Sequence, residues 1–159
     1  MQLPEPIAAM MKEHETLLAL LNDFSNGTAV GISSLAEQVS SFLHCLEAHV
    51  DKEETLLFPC IRLALGNEAD ALDIIEVEHA SVANLRGQFS DLAECLRESC
   101  ACERENRRRL AELTELAGDI LPPHIFKEDN VLYPLASQII SREKLSELAV
   151  AAGIGSRTE

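Results

Sequence analysis

Hydrophobic positions recur along this chain at steps of three and four, the period of an α-helix with one buried face. Over about residues 4–24 that face carries Ile7, Met10, His14, Leu17, Leu18, Leu21 and Phe24. Over about 34–65 it runs through Leu35, Val39, Phe42, Leu46, His49, Glu53, Leu56, Cys60 and Leu63. A third segment, about 68–100, presents Leu72, Ile75, His79, Val82, Phe89, Leu92 and Leu96, and a fourth presents Leu110, Leu113, Ile120, His124, Glu128, Val131 and Leu135. Runs of β-branched residues are scarce, so the chain is read as all-α.

The punctuation agrees. SNGTAVGISS (25–34) is a loop, with Ser33 or Ser34 expected to cap the second helix. Gly66 should close that helix and Asn67 cap the next, with a further break near CACERE (100–105). Pro122 and Pro123 should kink the fourth helix or mark a restart, because neither ring nitrogen can donate to the preceding turn. A short fifth helix over about 141–152 is expected to pack outside the others. Four long amphipathic helices with short connections predict an antiparallel up-down-up-down four-helix bundle with a short extra C-terminal helix. The whole of 1–159 is then one domain, with a core over about 4–138 and a C-terminal helix and tail over 141–159.

The seams carry an internal repeat. Residues 49–59 read HVDKEETLLFP and residues 124–134 read HIFKEDNVLYP; Glu13-His14 and Glu78-His79 form a shorter matching pair. The order EH, HxxKE, EH, HxxKE points to a duplicated helical hairpin. His49 lies 17 residues before Gly66 and His79 lies 13 after it. At a rise of about 1.5 Å per residue, such mismatches amount to about one helical turn at most. Four histidines are therefore expected to share one layer of the core.

That layer has a specific chemistry. His49 and Glu53, like His124 and Glu128, stand at i and i+4 on one helix face. Two carboxylates buried in a bundle need compensating positive charge, and no Lys or Arg falls on the seams at this height. Four imidazoles and two carboxylates are too many ligands for one tetrahedral zinc and too rich in nitrogen for calcium or magnesium. They suit a pair of first-row ions, iron first and manganese second, with each Glu bridging and two His on each ion. Ferritin-type sites reverse this order, as Glu-x-x-His.

Around the seams, His44 is expected to face solvent, and Glu54 and Asp129 to be solvated or to back the ligands rather than join them. Glu13 and Glu78, which precede His14 and His79, are expected on the surface, with a proton relay or a contact backing a histidine of the site as the alternative. Cys45 should pack in the core one turn before His49. Cys95, Cys100 and Cys102 are expected to be free thiols, and Arg107-Arg108-Arg109 to form a solvated face.

Composition narrows the function classes. In 159 residues there are 27 Asp and Glu against 13 Lys and Arg, a net charge of −14. Such a chain has no means of displacing counterions from nucleic acid and is repelled by anionic membranes. No apolar run approaches the ~20 residues needed to span a bilayer, and MQLPEPIAAMMKEHE does not resemble a secretory signal. Five cysteines, an odd number, fit free thiols in a reducing cytoplasm.

On EH…HxxKEExxLFP…EH…HxxKEDxxLYP, over about residues 7–138, the sequence resembles the hemerythrin-like (HHE cation-binding) family. That resemblance implies a non-haem diiron centre ligated by His14, His49, Glu53, His79, His124 and Glu128. The oxygen-carrying hemerythrins have a second His one turn after the first on the third helix, where this chain has Ala83. The four-His, two-Glu set looks instead like proteins that repair iron centres after nitric-oxide or oxidative damage. Those proteins usually carry a short cysteine-containing N-terminal domain, whereas this sequence starts almost at its first helix. The resemblance thus implies iron-centre repair or iron donation, with apo iron–sulfur or diiron proteins as partners. The alternatives are an oxygen- or nitric-oxide-binding or sensing protein, and a diiron enzyme consuming peroxide or nitric oxide.

Overall fold

The computed structural model describes residues 2–26, 31–99 and 102–154, and all regular structure among them is helical. The elements are α1 (Glu5–Asn26), α2 (Ile32–Lys52), a π-helical segment (Glu53–Leu57), α3 (Phe58–Leu65), α4 (Asp70–Glu98), α5 (Glu103–Lys127), a second π-helical segment (Glu128–Leu132), α6 (Tyr133–Ile139) and α7 (Arg142–Ala151). The long helices close a ring of contacts: α1 packs on α2 and α5, and α4 packs on α2 and α5. No helix among the described residues is long and apolar enough to cross a membrane.

The apolar residues divide into two clusters. One holds Leu17, Leu21 and Phe24 of α1, Leu35 to Leu46 of α2, Val82 to Leu96 of α4, and Leu110 to Ile125 of α5. Its centre is the aromatic group Phe24, Phe42 and Phe89, with ring centroids 5.0–6.1 Å apart. The other cluster holds Ile7 and Met10 of α1, Leu57, Phe58 and Ile61, Leu72 and Ile75 of α4, and Leu132, Tyr133 and Ala136. His14, His49, Glu53, His79, His124 and Glu128, all buried, lie in sequence where the chain passes from one set to the other, with Ile125 of the first set standing between His124 and Glu128.

The π segments change the expected seam. Leu57 and Ile61 are buried where Leu56, Cys60 and Leu63 were expected, and Leu63 is 79 % exposed. In the second repeat Leu132 and Ala136 are buried, while Val131 is exposed and Leu135 half-buried. Each π segment wraps one extra residue into the turn, so the Phe58 N–H reaches Glu53 O and the Tyr133 N–H reaches Glu128 O. Every later side chain is advanced by one position around the axis. Pro59 and Pro134 follow at once at the start of α3 and α6. A proline ring there would clash with the carbonyl four residues back in a regular α-turn, and the wider turn relieves it.

Other boundaries also differ from expectation. Gly31, in extended conformation, rather than Ser33 or Ser34, precedes the first residue of α2. Ala69, not Asn67, precedes α4, while Gly66 closes α3 at φ +60° as expected of a residue without Cβ. Residues 27–30 of the expected first loop and residues 100–101 of the expected break lie outside the described residues. Pro122 and Pro123 bring no restart, since α5 runs unbroken through both. Both prolines, and the Gly118 and Asp119 they leave without backbone partners, are exposed, so water can satisfy the freed carbonyls. Ser141 caps α7 by accepting from the Lys144 N–H at 3.2 Å, and α7 buries Leu145 and Leu148 against α1 and the first π segment. Cys45, Cys60 and Cys102 are free thiols, but Cys95 is disulfide-bonded, which corrects the expectation for that residue. His44 is exposed, and Arg107 and Arg108 pair with Glu103, Glu105 and Glu112 on the surface.

The displaced seam has a measurable consequence. Ile61→Ala should cost about 2–5 kcal/mol of unfolding free energy, as buried large-to-small changes do. Leu63→Ala should cost under about 0.5 kcal/mol, as exposed positions do. Urea unfolding of the two variants returning the opposite order would contradict the displaced register.

Candidate metal centre

The six seam residues converge. His49 and His124 sit in the last turns of α2 and α5, and Glu53 and Glu128 open the π segments that follow, so each His–Glu pair spans a helix junction. His14 and His79 come from the middle of α1 and α4. Donor atoms of His14, His49, Glu53 and Glu128 lie within 4.8 Å of one another, as do those of His79, His124 and Glu128. Glu128 belongs to both groups and joins them.

The imidazoles turn their Nε2 atoms inward. His14 Nε2 is 3.1 Å from Glu128 Oε2, and His124 Nε2 is 3.0 Å from Glu128 Oε1. Glu53 Oε1 lies 3.5 Å from His49 Nε2, and its Oε2 lies 3.4 Å from His79 Nε2. A cavity of about 10 Å³, lined by His14, His49, Glu53, His124 and Glu128 with apolar neighbours, runs between them. His49 Nε2, Glu53 Oε2 and Glu128 Oε2 are buried without a hydrogen-bond partner. Leaving three such atoms unpaired is costly in a protein interior, and they are the atoms a cation would engage.

The outward nitrogens are all held by carboxylates. His14 Nδ1–H donates to Asp129 at 2.7 Å, His49 to Glu13 at 2.8 Å, His79 to Glu54 at 2.8 Å and His124 to Glu78 at 3.0 Å. In each case the carboxylate comes from a different helical element than the histidine. Protonating Nδ1 leaves Nε2 as the lone-pair nitrogen, the arrangement that orients an imidazole toward a metal. Lys52 then pairs with Glu13, and Lys127 with Glu78. Of the two roles expected for Glu13 and Glu78, the surface one is corrected and the backing contact holds: each is about a quarter exposed and grips a seam histidine. Glu54 and Asp129 back the seam histidines His79 and His14, one of the two roles expected for them.

Sequence reasoning missed Tyr133. It is fully buried and stacks on the His14 ring, with centroids 5.3 Å apart, and its hydroxyl donates to Glu53 Oε1 at 2.6 Å. A signal was available, because this is the chain's one tyrosine and it occupies the Phe58 position of the repeat. Ala83, where a fifth imidazole would stand in an oxygen carrier, is exposed.

Charge dominates the metal-free state. Burial works against the imidazolium form of His49, but Glu13 and Glu53 overrule it and push the pKa up to about 9. Burial opposes His79 likewise, and Glu128, Glu53 and Glu54 push it up to about 10. For Glu128, burial would favour the neutral acid, yet His124, His14 and His79 hold it well below the usual carboxylate range. Burial, with the charges of Glu53 and Glu128, keeps the Tyr133 hydroxyl protonated far above its ordinary range.

A family model, the hemerythrin HHE cation-binding domain, matches residues 5–136, and the chain belongs to that family. Metal binding, with iron as the characteristic ion, follows from membership, and the histidine–glutamate groups above can hold a metal. The chain is also similar to the iron-sulfur cluster repair protein YtfE of Yersinia pestis (strain Pestoides F) and of Yersinia pseudotuberculosis serotype O:1b (strain IP 31758). Each is 32 % identical over 108 residues, covering 64 % of this chain and 46 % of the relative. The chain spans about half the length of the curated relatives it matches.

The raised imidazoles set a pH dependence for the metal-free protein. His49 and His79 have folded pKa values near 9 and 10, above the ~6.5 of an unfolded imidazole. Their stabilisation is therefore complete below about pH 6.5 and is lost as pH rises through 9 and 10. The thermal midpoint of metal-free protein should fall across that interval; a level or rising midpoint would contradict the pairing described.

Proposed function

We propose that the chain is a single-domain, antiparallel up-down-up-down four-helix bundle that holds two iron ions and supplies iron to damaged iron centres. The order of the two apolar clusters supports the topology. α1 and α4 pass from the Ile7–Leu72 cluster to the Phe42–Phe89 cluster, and α2 and α5, continued through the π segments into α3 and α6, pass the other way. His14, His49, Glu53, His79, His124 and Glu128 are the proposed ligands, with His14 and His49 on one ion, His79 and His124 on the other, and the glutamates between them.

The observation that carries this is the charge of the site. Six carboxylates (Glu13, Glu53, Glu54, Glu78, Glu128 and Asp129) face four imidazoles and only two ammonium groups, Lys52 and Lys127. With the imidazoles neutral, four negative charges remain, the charge that two divalent ions bring. The nitrogen-and-carboxylate donor set suits iron or manganese and is unlike the thiolate sites that favour zinc. When bound, the ions supply redox chemistry and open positions for a small molecule such as oxygen, nitric oxide or peroxide.

The protein's own groups do the rest. Glu13, Glu54, Glu78 and Asp129 fix the imidazoles so that Nε2 faces inward, and the flanking apolar clusters limit access of water. The outer carboxylates are only partly buried, Glu54 being 51 % exposed, so the site lies close to the surface on the His79 side. A centre near solvent suits release of iron to an acceptor, the role that the name of the Yersinia relatives suggests. Iron–sulfur proteins are then the partners.

Purified protein should contain close to two iron ions per chain, and His79→Ala should lose most of them. Mixing loaded protein with an apo iron–sulfur protein and sulfide should restore the acceptor's visible absorption. One zinc per chain, unaffected by His79→Ala, would overturn the iron pair. A stable reversible oxygen adduct without transfer would mark an oxygen-binding protein instead.

A further inference from the structure

The repeat places Phe58 in one half where the other has Tyr133, and the difference falls inside the site. Phe58 lies tilted against the His79 ring with centroids 5.0 Å apart, while Tyr133 stacks on His14 at an interplanar angle of 6°. Both follow a π segment, and the extra residue of that turn faces them inward. Only Tyr133 carries a donor. Its hydroxyl is 2.6 Å from Glu53 Oε1 and 3.4 Å from His14 Nε2.

The two glutamates are consequently held in different ways. Glu128 divides its oxygens between the halves, Oε2 at 3.1 Å from His14 and Oε1 at 3.0 Å from His124. Glu53 also faces both halves, Oε1 at 3.5 Å from His49 Nε2 and Oε2 at 3.4 Å from His79 Nε2, but its Oε1 is in addition tied down by the Tyr133 hydroxyl, a bond that Glu128 lacks. The donor groups reflect this: His14 and His49 are grouped with both glutamates, but His79 and His124 with Glu128 alone. A carboxylate has about four lone-pair sites, so one hydrogen bond from Tyr133 leaves Glu53 free to bind an ion on the same side. Exposure differs at one histidine of the second half: Glu54 behind His79 is 51 % exposed, whereas the carboxylates behind His14, His49 and His124 are 24 %, 29 % and 26 % exposed.

We propose that Tyr133 makes the two halves of the centre inequivalent by fixing the Glu53 Oε1 oxygen on the His14–His49 side, so that the ion at His79 and His124 is the one exchanged. The inference rests on the metal-pair reading above and adds which ion moves. Tyr133 is a positioning residue acting through Glu53. The retained ion keeps His14, His49, Glu53 and Glu128 together, so iron leaves the other half without uncompensated carboxylates remaining in the core.

The test is iron release from the loaded protein into a ferrous chelator, followed by absorbance, with total iron measured first. The protein should release its two ions in two phases differing by at least about tenfold, a factor within the worth of one charge-assisted hydrogen bond. His124→Ala should abolish the fast phase and keep the slow ion. Tyr133→Phe retains the ring on His14 and matches the chain's own Phe58, so packing is preserved; its two rates should converge to within about threefold. In the Tyr133→Phe, Phe58→Tyr double variant the phases should separate again, now with the fast phase lost in His49→Ala. Two ions leaving in a single phase, loss of the slow ion in His124→Ala, or an unchanged rate ratio in Tyr133→Phe would each overturn the role of Tyr133 and leave the metal pair standing. One ion per chain would overturn the pair and this inference with it.

Discussion

Two carboxylates, Glu53 and Glu128, are buried in the middle of a helical core, and much of the structure answers their charge. An isolated carboxylate there would be neutralised by a raised pKa rather than remain charged. Instead both are held in the charged form by four imidazoles brought from four helices. This requirement fixes the height at which the helices cross, because each must deliver one nitrogen to the same layer. It also divides the apolar core in two, since no aliphatic side chain can occupy that layer without leaving a charge unpaired.

The second consequence lies one shell further out. An imidazole aimed inward by Nε2 exposes Nδ1–H to its neighbours, and each is met by a carboxylate from another helical element. The bundle is thereby cross-linked by polar contacts: α1 to the second π segment, α2 to α1, α4 to the first π segment, and α5 to α4. Lys52 and Lys127 then close the Glu13 and Glu78 branches, whereas Asp129 and Glu54 have no such lysine contact among the described residues. The same network that orients the histidines therefore welds neighbouring helices, and the geometry of the site and fold stability are one property here.

The helices, their buried faces and the six central residues were legible because each is a local pattern. A period of 3.6 and an i, i+4 His–Glu pair are properties of a few consecutive residues. The faces of Ile7 to Phe24 and of Leu72 to Leu96 therefore match expectation closely. The halves of the second and fourth segments beyond Glu53 and Glu128 do not, because one extra residue in a π turn moves every later side chain by one step. Periodicity counted straight through that turn assigns Leu63 and Val131 to the core, and both are exposed.

The sequence by itself determined the helical class, the two-fold repeat and the identity of the central histidines and glutamates, since these depend only on spacing along one helix. Tertiary structure decided what surrounds them. Glu13, Glu54, Glu78 and Asp129 look like surface charges on a helical wheel, and become histidine partners only when a neighbouring helix presents Nδ1 to them. Tyr133 falls off the seam counted by straight periodicity and is brought inward only by the second π segment, which places its hydroxyl on Glu53, 80 residues away in the chain. The physical reason is the same throughout: a side chain's periodicity is set by its own helix, but its partner is set by the helix it faces.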